Sequence, residues 1–450
     1  MEPDRAAHDA SEVRTQDDED ACVEGPDTLT AEADACSPPA GLLSRFKTFE
    51  SFAYRDFALA FAGALLSNVG SWMQVVALGW VVYDLTASSQ ALGFVNALSG
   101  LPVTFLAVFA GVLADRLDRR QLLIFTQVAL MLQAVAFGVL NQTGRISMGW
   151  IYSLVLVGGV FQALMSPAWQ ALTPELVPPQ SLMNAIALNS AQFNAARFLG
   201  PVVGGGVFAV FGVTAVFYAN AASFLFVIAA LAVIRTRGSD RPRRTAGSAR
   251  DMLLGGVRYA REHPRVAWLL ISAAVLTTFG MPFAALLPAI ARSVLRLGGT
   301  GYSLLMAANG AGALASALVV ATLSRRIRRE RIIRIGFVTM GIGVILLAAS
   351  RMPVASGIVL FAIGAAFLAI VSSINTSLQL AAEGAVRGRV MALFVMAFMG
   401  MMPVGAALFG WLAERIGTQP AVALGGAVVA AYGVLLLARP ALICEGDGPC

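Results

Sequence analysis

At 450 residues, 58% of them hydrophobic and 13% charged, the chain is too apolar and too long to close around one water-soluble core. A mean hydropathy of +0.74 reads as a polytopic membrane protein. The net charge of +6 conceals a split: residues 1–40 hold twelve acids against Arg5 and Arg14, while the remainder carries 30 basic and 14 acidic side chains, a surplus that concerns membrane topology before nucleic acid.

From the first residue, the acidic stretch is the reverse of a secretory signal's basic start, and residues 1–44 are expected to form a disordered acidic cytoplasmic tail. A partner-binding or self-inhibitory role is the alternative for that segment. Twelve apolar runs follow, at 57–82, 89–113, 121–141, 147–170, 182–209, 213–234, 266–291, 301–323, 332–350, 354–380, 390–411 and 419–438. Each is close to the roughly 20 residues that a helix needs to cross a bilayer. They are apolar on nearly all sides rather than alternating, which predicts helices and not a β-barrel. Cys22, Cys36, Cys444 and Cys450 lie in the two tails without metal-type spacing, and read as free thiols.

With the N-terminus inside, 24 basic residues fall on the cytoplasmic side and five on the other: Arg145, Arg292, Arg296, Arg351 and Arg415. The positive-inside rule therefore places both termini in the cytoplasm. The polar segment "RTRGSDRPRRTAGSAR" between the sixth and seventh runs divides the chain into a bundle over 45–235, a linker over 236–265 and a bundle over 266–439, before a tail at 440–450. The residues after that segment suggest an amphipathic interfacial helix ended by Pro264, although a basic linker obeying the charge rule would look similar. "ADRLDRRQLL" (114–123) and "LSRRIRRERII" (323–333) correspond at a shift of 209, each just after a run arriving from the outer side. Parallel six-helix repeats imply a substrate site between halves near the midplane.

Polar residues inside spans are costly and therefore informative. The first run places Ser71 and Gln74 on one face with Asn68 and Trp72 beside them, a candidate cavity wall or an interhelical hydrogen-bonding surface. Gln162 in the fourth run and Asn375 in the tenth approach the cytoplasmic side and suit a substrate or a wet vestibule. In the fifth run Ser190, Asn194 and Arg197 share a face, and Arg197 is the one charge in the middle of any run. It should face the bundle interior or water, as a functional group or bonded to backbone carbonyls. Gly200, Gly204, Gly205 and Pro201 just beyond it suggest close helix approach and a bend, a hinge or a seal. His8 and His263 are the only histidines, and neither metal nor phosphate-cradling motifs occur, so no enzyme chemistry, cofactor or metal is expected.

The stretch "GVLADRLDRRQ" contains Gly111, Asp115, Arg116, Arg119 and Arg120, which matches the helix-two to helix-three motif of the major facilitator superfamily except that Asp118 replaces its usual glycine. Gly200, Pro201, Gly204 and Gly205 resemble the helix-five motif of its drug antiporters. Together with "YRDFALAFAGALLSNVGSWMQVVALGWVVYDLT", "TPELVPPQSLMNAIALNSAQFNAARFLGPVVGGG" and "GVRYAREHPRV", these make residues from about 50 to 440 similar to the bacterial secretion branch that includes enterobactin-type siderophore exporters and macrolide efflux proteins.

The resemblance implies an all-helical fold of twelve spans in two pseudo-symmetric bundles, working by alternating access. It implies that Asp115 and its arginines form a cytoplasmic gate against the start of helix eleven. Proton antiport is implied too, although the superfamily's helix-four arginine is absent; Asp56, Asp84 and Glu175 are the candidate carboxylates, each more readily read as a solvated helix end. The expectation is a monomeric exporter in the bacterial inner membrane, taking a siderophore, macrolide or drug-like amphipathic molecule and binding no nucleic acid. Lipid or lysophospholipid translocation, with Arg197 on a headgroup phosphate, is an alternative, and so is a transport-inactive sensor or scaffold.

Overall fold

A backbone that crosses hydrocarbon must satisfy its own N–H and C=O groups, and the apolar runs do so as helices. The computed structural model describes residues 47–234, 249–323, 328–382, 384 and 386–443, without the side chains of 47–48, 107–116, 249–254 and 320–323. The expected acidic tail and the last residues of the C-terminal tail lie outside the described residues. The first helices are α1 (Arg55–Thr86), α2 (Ser89–Arg116), α3 (Arg119–Gln142) and α4 (Met148–Leu176). A 52-residue run, Leu182–Val233, is broken at Gly212, whose φ of 78° and ψ of 175° suit glycine. The break gives α5 (182–211) and α6 (213–233).

The amphipathic helix anticipated before Pro264 occupies Ala249–Glu262. Beyond it come α7 (Pro264–Val294), α8 (Gly299–Leu323), α9 (Arg329–Ala349), α10 (Pro353–Ala381), α11 (Arg387–Ile416) and α12 (Thr418–Ala438). By length and hydropathy, ten stretches of the described residues can cross a bilayer. One of them, Pro179–Val233, has 55 residues and crosses twice through the Gly212 break. With α2, whose charges Asp115 and Arg116 are its last two residues, the twelve expected spans are present.

α7 widens into π-helix at Leu276–Gly280 and Ile290–Val294. α11 is interrupted near Gly400, where Pro403 has no N–H to return to the Met399 carbonyl. Within the first half, α1 lies against α5 and α6, α2 against α4, and α3 against α4 and α6. In the second half α8 lies against α10, α9 against α10 and α12, and α11 against α7 and α12. The halves meet along α5 with α8 and along α2 with α11. A single apolar core fills the second half, whereas the first has two, around Leu172 and Leu231 near the face carrying the chain ends and around Phe137 and Phe217 near the opposite face.

Candidate functional site

Polar side chains of α1, α3, α4 and α5 converge on a cavity of about 480 Å³ in the first half, toward the face that carries the chain ends. That size is in the range of small-molecule sites. Asn68, Ser71 and Trp72 of α1 line it, with Gln162 and Trp169 of α4 and Phe193 of α5. Ser71 spends its hydroxyl on the Ser67 carbonyl at 2.9 Å. Gln127 of α3 donates to the Met165 sulfur at 3.2 Å. Asn68 and Gln162 hold no hydrogen bond among the described residues, so their amides are available to a ligand.

Where the halves meet, Arg197 donates from Nη2 to Asn309 Oδ1 of α8 at 3.0 Å. Its guanidinium lies 5.2 Å from the Phe367 ring of α10 and 5.7 Å from the Trp72 ring of α1. Asn309 in turn donates to the Leu360 carbonyl of α10 at 3.1 Å. Arg197 thus joins both halves at mid-span and faces the interior as its charge requires. Neighbouring Trp72 meets Phe193 edge-on, with centroids 6.1 Å apart. Ser190 and Asn194 share that side of α5 but bond their own helix, to the Ile186 carbonyl at 3.0 Å and the Ser190 carbonyl at 2.9 Å.

Arg197, Ser190 and Asn194 are not in the lining of the first-half cavity, and two further expected cavity residues point elsewhere. Gln74 accepts from Asn220 Nδ2 of α6 at 2.8 Å and ties α1 to α6. Asn375 accepts from Gln379, one turn further along α10, and does not line the first-half cavity. Of the carboxylates, Asp84 pairs with Arg292 of α7 across the halves on the opposite face. Glu175, nearly buried at the end of α4, pairs with Arg119. Asp56 occupies the first turn of α1, where a negative charge suits the helix dipole.

At the start of α3, Asp118 caps the helix by accepting from the Gln121 N–H at 2.8 Å. This explains the departure from glycine: the second acid supplies an N-cap. Arg119 reaches Glu175 and the Ala171 carbonyl, and Arg120 donates to the Leu231 and Ala232 carbonyls ending α6. Both arginines therefore brace ends within the first half. The side chains of Asp115 and Arg116, and the surroundings of Gly111, lie outside what is described, as does any contact they make with α11.

The α5 glycines face two ways. A Cβ at Gly200 would lie 2.4 Å from Trp72 Cβ and one at Gly204 3.1 Å from Met73 Cγ, both on α1. A Cβ at Gly205 would lie 2.8 Å from Ser303 Cβ on α8. Pro201 leaves α5 helical, and the turn comes at Gly212. α2 and α11 approach as closely, since a Cβ at Gly93 would lie 2.7 Å from Gly410 Cα. The Gly205–Ser303 and Gly93–Gly410 contacts close the space between the halves from mid-span to the opposite face, while Met183, Ile186 and Leu318, toward the chain ends, are exposed. Sequence reasoning missed Asn309 and Phe367. Asn309 carried a signal, a polar residue inside an apolar run beside Gly310 and Gly312, where helices approach closely.

Comparison with known proteins agrees with this architecture. The Staphyloferrin A transporter of Staphylococcus aureus is 25% identical over 236 residues, 52% of this chain and 59% of that protein. The MFS-type transporter YfiS of Bacillus subtilis is 28% identical over 164 residues, 36% of this chain and 38% of that one. The chain thus spans less than two thirds of these two relatives. The Enterobactin exporter EntS of Salmonella typhimurium is 27% identical over 384 residues, covering 85% of this chain and 91% of the relative. In fold, a point mutant of the nucleoside transporter NupG superposes with a TM-score of 0.71 at 13% identity, covering 85% of this chain and 99% of that structure. The profile of the transmembrane secretion effector family matches residues 46–445. The chain is a multi-pass membrane protein and belongs to that family of major facilitator transporters.

Proposed function

We propose that the protein exports a small amphipathic molecule of siderophore, macrolide or drug-like type by alternating access driven by proton antiport. The observation that carries this reading is the cavity in the first half. Its unbonded Asn68 and Gln162 amides stand among Trp72, Trp169 and Phe193, a mixture that suits a cargo with both polar and aromatic parts. Access from the face of the chain ends, with the opposite face closed by glycine-lined helix pairs, supports a loading state. Basic residues are concentrated on the chain-end face, which therefore faces the cytoplasm of a bacterial inner-membrane protein. Similarity to the Enterobactin exporter favours secretion of a small metabolite over uptake.

A panel transport assay in everted membrane vesicles tests the reading. Accumulation of at least one siderophore, macrolide or cationic dye is expected above vesicles lacking the protein, and collapse of the proton gradient should abolish it. Accumulation that survives the collapse removes proton coupling. Phospholipid flipping in proteoliposomes, without transport of any panel compound, would replace the export reading with lipid translocation.

A further inference from the structure

On the opposite face the second half supplies a cap to a helix of the first. Glu414, near the end of α11, accepts through one oxygen, Oε2, from Ser88 Oγ at 3.0 Å and from the Gln90 N–H at 3.2 Å. Those donors sit at the start of α2, where the N–H groups have no intrahelical partner and the dipole favours a negative charge. Alongside, Ser89 and Thr418 of α12 share a hydrogen bond at 2.9 Å. Ser88 also caps α2 from within its own half, because its Oγ accepts from the Ala91 N–H at 3.2 Å. α2 therefore has two caps, one local and one brought by the other half.

We propose that Glu414 is a detachable cap, a gate residue that holds the halves together on the face opposite the chain ends and lets go when that face opens. The local Ser88 cap is what makes release reversible, since α2 keeps a satisfied first turn after Glu414 departs. No charged side chain lies on α2 before Asp115, so the Glu414 carboxylate meets the helix N-terminus without a competing charge from that helix. Arg415, the charge next to it on α11, lies over the Trp411 ring at 4.6 Å. Glu414 is exposed, so its interaction is screened and weak, which suits a contact broken once per cycle. A second tie across the same face, Asp84 with Arg292, adds to the closed state, and the Arg292 guanidinium is steadied 5.2 Å from the Trp80 ring.

The inference rests on the alternating-access reading, and the test separates the two. Spin labels are placed at R145C and R351C, on exposed turns of the two halves on the opposite face, in a full-length chain whose four native cysteines are serine, reconstituted in nanodiscs. The unmodified gate should give a mainly short distance with a minor long one. E414A should raise the ratio of long to short roughly three- to tenfold, the size of a lost charged cap. E414Q keeps an acceptor oxygen and should shift it less, and it serves if E414A does not insert. A single distance in the parent and every variant would overturn alternating access and this proposal with it. Two distances in the parent with an unchanged ratio in E414A and E414Q would overturn the detachable cap alone.

Discussion

At the residue scale, the informative side chains are those whose polar atoms have been left over by the fold. Asn68 and Gln162 carry amides into the cavity that nothing among the described residues engages, whereas Gln74, Ser190 and Asn194 each make a hydrogen bond to a neighbouring helix or to their own. N68A and Q162A are therefore expected to raise KM for the cargo about tenfold, with the thermal midpoint of the purified protein unchanged; transport kinetics with fluorescence-detected unfolding checks both parts, and a lowered midpoint would return the residues to packing. Arg197 is a different case, because it is held by Asn309 and lies near two aromatic rings. R197A should cut transport strongly while the protein still inserts. R197K should not rescue it, since an ammonium lacks the planar surface that lies against Trp72 and Phe367. Full transport by R197A would leave Arg197 a packing role only. The sequence marked Arg197 because one charge in a span cannot be missed, but it did not mark Phe367, one apolar residue among many.

At the element scale, small residues decide which helices can approach closely. Gly364 of α10 would place a Cβ 2.0 Å from the Asn309 carbonyl oxygen of α8, inside the second half. Gly310 of α8 would place one 2.7 Å from the Arg197 carbonyl oxygen of α5, across the halves. The two substitutions add the same methyl group and should act differently. G364A forces apart helices that stay together, and is expected to destabilise by about 1–3 kcal/mol and lower the unfolding midpoint. G310A is relieved when the halves part on that side, so it should leave the midpoint nearly unchanged and raise the long-distance population between labels at 145 and 351. Equal effects on both readouts would mean that the two interfaces are equally permanent. The helices themselves were legible because uncharged runs of about 20 residues have few other solutions. The joining of α5 and α6 through Gly212 was legible only as two runs, and the π-helical turns of α7 were not legible at all, since they arise from packing rather than from composition.

At the scale of the whole molecule, two similar halves meet over part of their depth, closed toward one face and open toward the other. Toward the opposite face the interface is closed, with Ser303 buried beneath Gly205 and the Gly93–Gly410 crossing beside it. Toward the chain ends, Ser166 and Gln170 stand exposed in the cavity wall. The family resemblance implied a gate at "GVLADRLDRRQ", and the described part of that motif braces α3 against α4 and α6; the seal that can be described residue by residue is on the other face, built from glycines and single hydrogen bonds that pattern alone does not distinguish from ordinary packing. The consequence can be measured with the native cysteines replaced by serine. A membrane-impermeant maleimide should modify S166C in everted vesicles at least tenfold faster than in intact cells, because the reagent reaches the cavity from the face that carries the chain ends. S303C should resist modification from both sides, and a transported compound should slow the reaction of S166C without affecting R145C, which stands outside the cavity. Faster modification of S166C from the outside of intact cells would reverse the orientation and with it the direction of transport, whereas equal rates from both sides would mean that the two halves enclose a channel rather than an alternately opened site.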